Sequence, residues 1–228
     1  MNKNKIIIVL MPILLIIMAI LGYFNAFNTN TDSIRFKLEY ESLNSKNDYY
    51  KVRIDSNNIK YSSYDEIFDV IKNKTGIIYF GYKECNDCRF AIETLLKTIK
   101  ENSIDSKIYY LDNHMDRDSY VIDDEKLVYE KDDKGNEIKG TDNYFKLLEL
   151  LDKNLSDYVI YLDNKKYEVG EKRLHFPSIV FIKDGNVLDI VYATQDMDYN
   201  DLKTIYEDYL FDMYSNTCDT NKDINTPC

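Results

Sequence analysis

Gly76-Ile77-Ile78-Tyr79-Phe80-Gly81-Tyr82-Lys83-Glu84-Cys85-Asn86-Asp87-Cys88-Arg89-Phe90 reads as a strand, a turn and the start of a helix. Ile77 to Phe80 is a continuous run of strand formers, the pattern of a strand covered on both faces. From Cys88 onward, Ile92, Leu95, Leu96 and Ile99 recur at helical spacing and lay one apolar stripe along a helix. Two cysteines therefore stand three positions apart where a buried strand hands over to a helix.

That placement makes the two sulfurs physically different. Cys85 falls at the cap, where free backbone N–H groups and the helix dipole favour a thiolate; Cys88 falls on the apolar stripe and is shielded. A free cysteine titrates near 8.5, and helix-start placement in such motifs lowers this to roughly 3.5–7.5. Cys85 is then the candidate nucleophile and Cys88 the candidate resolving thiol. Paired cysteines at this spacing also serve as half of a zinc site or as an inert disulfide. The strand–CxxC–helix context favours redox chemistry. Zinc would need further ligands from His114, His175 or the tail cysteines, so no metal and no cofactor are expected. Glu84, Asn86 and Asp87 flank the first sulfur and are the candidates to tune it, the two carboxylates opposing thiolate formation. Arg89, in the first helical turn, is placed to neutralise a Cys85 thiolate, but an arginine there is more often solvated, and it is read so.

Working outward, Tyr49 to Ile54 alternates apolar and charged residues like a half-exposed strand, and Arg35 to Asn44 carries a weak helical pattern. Ser62 or Ser63 caps a short helix through Ile67, Val70 and Ile71. Lys107 to Leu111 is a further strand. The segment from about 112 to 172 holds a predicted hairpin with Leu127 to Glu130 as one strand and its turn at Lys134-Gly135-Asn136. It also holds a helix from Asn143 to about Leu155 and a second hairpin from Tyr158 to Val169. Phe176-Pro177-Ser178-Ile179-Val180-Phe181-Ile182, the turn Lys183-Asp184-Gly185-Asn186 and Val187 to Tyr192 form another hairpin. Asn200 to Tyr214 is a closing amphipathic helix, and 215–228 is a polar tail.

The chain has 228 residues, a hydrophobic content of 44% and a formal net charge of −11. Such an acidic surface repels phosphate backbones, so nucleic acid is not an expected partner. Lys3 and Lys5 precede an apolar run from Ile6 to Leu21, followed by Gly22, Tyr23 and Phe24. A basic start and a run of this length fit an export signal or a short membrane anchor. Phe24 stands where a signal peptidase wants a small residue, which favours retention of 1–24 as a transmembrane helix. With the lysines inside, everything after Phe24 lies outside the membrane. Residues 25–45 then read as tether and N-terminal extension, and 46–214 as the folded domain. Cys218 and Cys228 lie in the tail and are candidates for a second disulfide; a relay to the first pair is the less favoured reading, because nothing around them activates a thiol.

Pro177 directly precedes an apolar strand. A cis X–Pro bond occurs in about 5–6% of cases, so sequence alone favours trans here. The stretch from Gly76 to Phe90, followed by helix and strand, resembles the thioredoxin superfamily, and Phe176-Pro177-Ser178 with its hairpin resembles that family's cis-proline strand. The resemblance implies a thioredoxin fold, a central mixed sheet flanked by helices, with an α/β insertion at about 112–172. It also implies that Pro177 is cis, faces the Cys85 sulfur, and that the Phe176 backbone binds an extended substrate. Phe36 to Asn44, Tyr79 to Cys85 and Gly170 to Leu174 resemble, more narrowly, membrane-anchored thioredoxin-like proteins of Gram-positive bacteria, including bacteriocin transport accessory proteins. This chain departs from the thioredoxin pattern at Glu84, at Asn86-Asp87, and at Tyr79, which stands where thioredoxins bury a proton-handling Asp.

The function expected is a membrane-held, extracytoplasmic thiol–disulfide oxidoreductase acting on exported proteins or peptides, with a separate redox partner. The alternative is a non-catalytic thioredoxin-like binding module that assists a transporter or secreted peptide.

Overall fold

Ile77 to Phe80 sends successive side chains to opposite faces, and each face meets a separate core. In the computed structural model, which describes residues 31–55, 58–194 and 196–215 together with residues 11 and 16–18, this strand is β2 (Gly76–Phe80), buried throughout. The other strands of its sheet are β1 (Ile59–Tyr61), β3 (Ile108–Leu111), β8 (Ser178–Lys183) and β9 (Asn186–Tyr192), in the order β1-β3-β2-β8-β9. β1, β3 and β2 run parallel; β8 and β9 run antiparallel to their neighbours. The fold is α/β, a mixed sheet flanked by helices.

Ile77 and Tyr79 of β2, with Ile179 and Phe181 of β8, pack into one core beneath α1 (31–41), α3 (Asn86–Glu101) and α5 (Tyr199–Tyr214). Ile78, Phe80, Val180 and Ile182 pack into the other, beneath α2 (Tyr64–Asn73) and α4 (Asp142–Leu151). A period of two in the sheet thus sorts one apolar run into two layers. Ser63 caps α2 in a reciprocal capping box with Glu66, and Thr141 caps α4. The turn between β8 and β9 needs a glycine. Gly185 has φ +73° and its N–H donates to Lys74 O, so a Cβ there would strike the Lys72 carbonyl.

Residues 31–45, expected as tether and extension, belong to the core. Phe36 and Tyr40 are fully buried and stack at 4.1 Å, and Phe36 meets Tyr110 edge-on at 4.8 Å. Tyr40, Tyr79 and Tyr110, three of the 21 tyrosines, meet in this cluster.

The stretch Tyr49 to Ile54 is not a strand. Its alternation is real, since Val52 and Ile54 are buried, but no neighbouring strand supplies its hydrogen bonds. Side chains supply them instead. Asn86 Oδ1 accepts from the Tyr50 N–H, Asn44 Oδ1 from Val52, Glu93 Oε1 from Arg53 and Glu41 Oε1 from Ile54.

Between β3 and β8 lie two further hairpins and α4. The first hairpin is shifted from its expected place. β5 (Lys126–Tyr129) pairs with the preceding β4 (Tyr120–Asp123) through a turn at Asp124 and Glu125, both at positive φ. Tyr120 stacks on Tyr129 at 4.5 Å and Val121 lies opposite Val128, a match the downstream segment cannot offer. The turn expected at Lys134-Gly135-Asn136 does form, closed by the single bridge Lys131–Glu137, with Gly135 N–H donating to Asp132 O and the Asp132 side chain accepting from the Lys134 and Asn136 N–H groups. The second hairpin joins β6 (Ser156–Leu162) to β7 (Lys165–Arg173).

Among the described residues no helix is long and apolar enough to cross a membrane. The expected anchor, residues 1–24, lies outside the described residues except for 11 and 16–18, and Cys218 and Cys228 lie wholly outside them.

Asn44 holds the strand-like segment from both sides, donating to Val52 O while its Oδ1 accepts from Val52 N and Arg89. Asn44→Ala is expected to lower the unfolding free energy by about 2–3 kcal/mol in urea denaturation, the cost of orphaning buried polar groups. A loss below about 0.5 kcal/mol, the scale of a neutral surface change, would mean the segment is held in some other way.

Candidate active site

β2 ends at Phe80, and five residues later the chain reaches the N-cap of α3, which is Cys85. Gly81 sits where the backbone passes against the Tyr79 hydroxyl, and a Cβ there would overlap it. The Cys85 N–H donates to Tyr82 O, closing the turn. Cys85 has extended backbone angles, and its Sγ accepts from the Cys88 N–H at 3.0 Å. The cap is therefore the sulfur itself, aimed at the helix's free donors.

Cys85 and Cys88 are joined as a disulfide with Cα atoms 5.1 Å apart. Cys85 is partly exposed, while Cys88 is fully buried among Ala91, Ile92 and their neighbours. The structure thus places the outer sulfur at the surface and the inner one in the core.

Beneath the pair, the Tyr79 hydroxyl donates to Cys88 O at 2.9 Å and lies 3.0 Å from the Tyr40 hydroxyl. Burial pushes the Tyr79 phenol well above its ordinary range, so it stays neutral. It holds the first turn of α3 but cannot act as a carboxylate base toward Cys88.

Arg89 is the largest correction at the site. Far from being solvated, it is fully buried. Nε donates to Tyr50 O at 2.6 Å, Nη1 to Tyr40 O at 2.6 Å and to Lys83 O at 3.2 Å, and Nη2 to Asn44 Oδ1 at 2.7 Å. Burial lowers its pKa, but a guanidinium starts so high that it remains charged. No carboxylate touches it among the described residues. A fixed positive charge one helical turn from Cys85 favours the thiolate.

The expected tuning residues divide. Asn86 is a strut, its side chain accepting from Tyr50 N at 2.7 Å and donating to Asp48 O at 3.0 Å. Glu84 is exposed, with Lys83 3.7 Å away. Asp87 lines the depression above the cysteines.

The Phe176–Pro177 bond is cis. Phe176 packs edge-on to Tyr82 at 5.6 Å, and with Cys85 it lines an open depression of about 500 Å³. Pro177 itself is buried at the head of β8. His175 is exposed on the rim, edge-on to Tyr192; partial burial and the nearby Arg173 and Arg117 lower its pKa and keep it neutral.

Four lining residues were not anticipated from sequence, Tyr82, Arg117, Tyr158 and Arg173. One signal was available. Arginine is scarce in this lysine-rich chain, which has only Arg35, Arg53, Arg89, Arg117 and Arg173, and three of the five gather around Cys85.

After reduction, iodoacetamide is expected to modify Cys85 in the folded protein and leave Cys88 untouched until denaturant is added. Peptide mass mapping reads this directly, and comparable labelling of both would contradict the asymmetry. Comparison with known proteins returns no match to this chain among family models, curated proteins or solved structures.

Proposed function

We propose that this protein is a thiol–disulfide oxidoreductase of the thioredoxin type, acting on exported proteins or peptides from the outer face of a membrane. One observation carries the reading. A partly exposed sulfur caps α3, is bonded to a fully buried one, and shares a depression with a cis Phe176–Pro177 segment. The mixed sheet, with its central strand leading into the cysteines and the cis-proline strand antiparallel beside it, supports the thioredoxin assignment. The basic start and apolar run from Ile6 to Leu21 support the membrane location.

The exchange runs as follows. A substrate thiolate attacks Cys85 Sγ in line with the disulfide. The Cys85–Cys88 bond breaks, and Cys88 leaves as a thiolate. A second substrate thiolate then attacks the substrate sulfur of the mixed disulfide. The substrate gains a disulfide, Cys85 leaves as a thiolate, and two electrons have passed to the pair. A dithiol–disulfide partner returns the pair to its starting state. The same steps in reverse reduce a substrate disulfide, and the direction follows the difference in potential between the pair and its partners.

Local chemistry fits these roles. The α3 N-terminus and Arg89 stabilise Cys85 as attacking or leaving thiolate. Burial keeps Cys88 from meeting a second substrate. The exposed main chain before Pro177 offers an extended segment its hydrogen bonds.

Cys85→Ser is expected to abolish reduction of insulin by dithiothreitol above background, while Cys88→Ser accumulates a mixed disulfide at Cys85 that survives non-reducing electrophoresis. Retained turnover in Cys85→Ser would contradict the reading and favour a binding module. The potential of the pair assigns the direction: near about −120 mV marks an oxidant and near about −270 mV a reductant.

A further inference from the structure

Arg117 and Arg173 do nothing in the exchange just described, yet both point into the depression that holds Cys85. Arg173 is 7% accessible. Its guanidinium lies over the Tyr158 ring at 3.9 Å, and its Nη1 has no hydrogen bond. The nearest carboxylate, Asp118, is 3.9 Å away, and its Oδ2 is unbonded as well. Arg117 stands over the Phe176 ring at 4.4 Å, makes one long bond of 3.4 Å to Leu174 O, and leaves Nε without a partner.

Two like charges held together in a half-dry site cost free energy, and each arginine depresses the charged form of its neighbours. The carboxylates that face them are Asp118, Glu171 and Asp87. Glu171 is pushed toward its neutral form by burial and by Asp118. Arg173 Nη1 and Arg117 Nε are sealed from solvent, and Nη1 of Arg173 faces Asp118. The geometry that speaks for a ligand is the pair of flat cations stacked on aromatic rings along the wall of an opening beside the reactive sulfur, which suits one anionic group.

We infer that Arg117 and Arg173 form a carboxylate subsite that selects substrates bearing an Asp or Glu beside the reacting cysteine. This rests on the oxidoreductase reading and specifies its substrate class. The preference is unexpected for a protein whose net charge of −11 repels anions at long range. It has to be local.

The test uses the oxidised full chain and three dithiol peptides differing only in Glu, Gln or Lys next to the first cysteine. The Glu peptide is expected to be oxidised about tenfold faster than the Gln peptide, the worth of one charge-assisted hydrogen bond, with Lys slowest. Added salt should shrink that ratio. Arg117→Gln should bring it close to one, and Arg117→Lys should keep part of it, with circular dichroism verifying the fold of each variant. Equal Glu and Gln rates would overturn the subsite and leave the oxidoreductase reading standing. Glutathione reacting faster than the Glu peptide would move the carboxylate to a small thiol and overturn selection of acidic proteins. If no peptide reacts, the oxidoreductase reading fails. The relative rates of iodoacetate and iodoacetamide at reduced Cys85 then decide the subsite alone: enrichment of iodoacetate over a free thiol supports it, and none overturns it.

Discussion

A guanidinium sealed inside the protein, ringed by main-chain carbonyls instead of a carboxylate, is the constraint on which the rest of this structure turns. Arg89 gathers the end of α1 through Tyr40 O, the segment after it through Tyr50 O and Asn44, and the turn before the helix through Lys83 O. Stripping water from such an ion costs several kcal/mol, and only donors satisfied in good geometry offset that. The arrangement therefore tolerates little movement. It pins the approach to Cys85 to the first turn of α3 and leaves a positive charge there that, among the described residues, no carboxylate touches.

The two cysteines inherit their difference from this frame. Cys85 caps α3 with its sulfur, which accepts from the Cys88 N–H, and Arg89 follows one helical turn later. Cys88 sits in the core, its carbonyl tied to a tyrosine too deeply buried to ionise. Tyr79, neutral and bonded to the Cys88 carbonyl, stands in this place, and it is no carboxylate that could take a proton from Cys88. When the exchange runs in the reducing direction, that proton must pass to water or to the departing substrate thiolate.

Much of this was legible beforehand because it is local or periodic. The continuous run of β2 and the stripe from Cys88 to Ile99 needed no knowledge of neighbours, and both appear as read. What escaped depends on partners distant in sequence. Tyr49 to Ile54 has a strand's alternation, but its hydrogen bonds come from Asn44, Glu41, Asn86 and Glu93, which only the fold brings together. Arg89 has a surface-like position in its helix, and nothing nearby in sequence announces the carbonyls that enclose it. The first hairpin was displaced because its strands are only half buried, so their alternation is weak, and cross-strand tyrosine stacking set the register instead. Arg117 and Arg173 meet at Cys85 from opposite ends of the long segment between β3 and β8, a convergence no spacing rule encodes.

The account's central claim is that Cys85 is acidic, made so by the helix start and Arg89 against the pull of Glu84 and Asp87. Titration of thiolate absorbance at 240 nm tests it most directly, in a chain carrying Cys88→Ser, Cys218→Ser and Cys228→Ser so that one sulfur is left. A midpoint clearly below the roughly 8.5 of a free cysteine, rising when Arg89 is replaced by Gln in a variant shown to be folded, is the predicted result. A midpoint at or above that value would contradict the account.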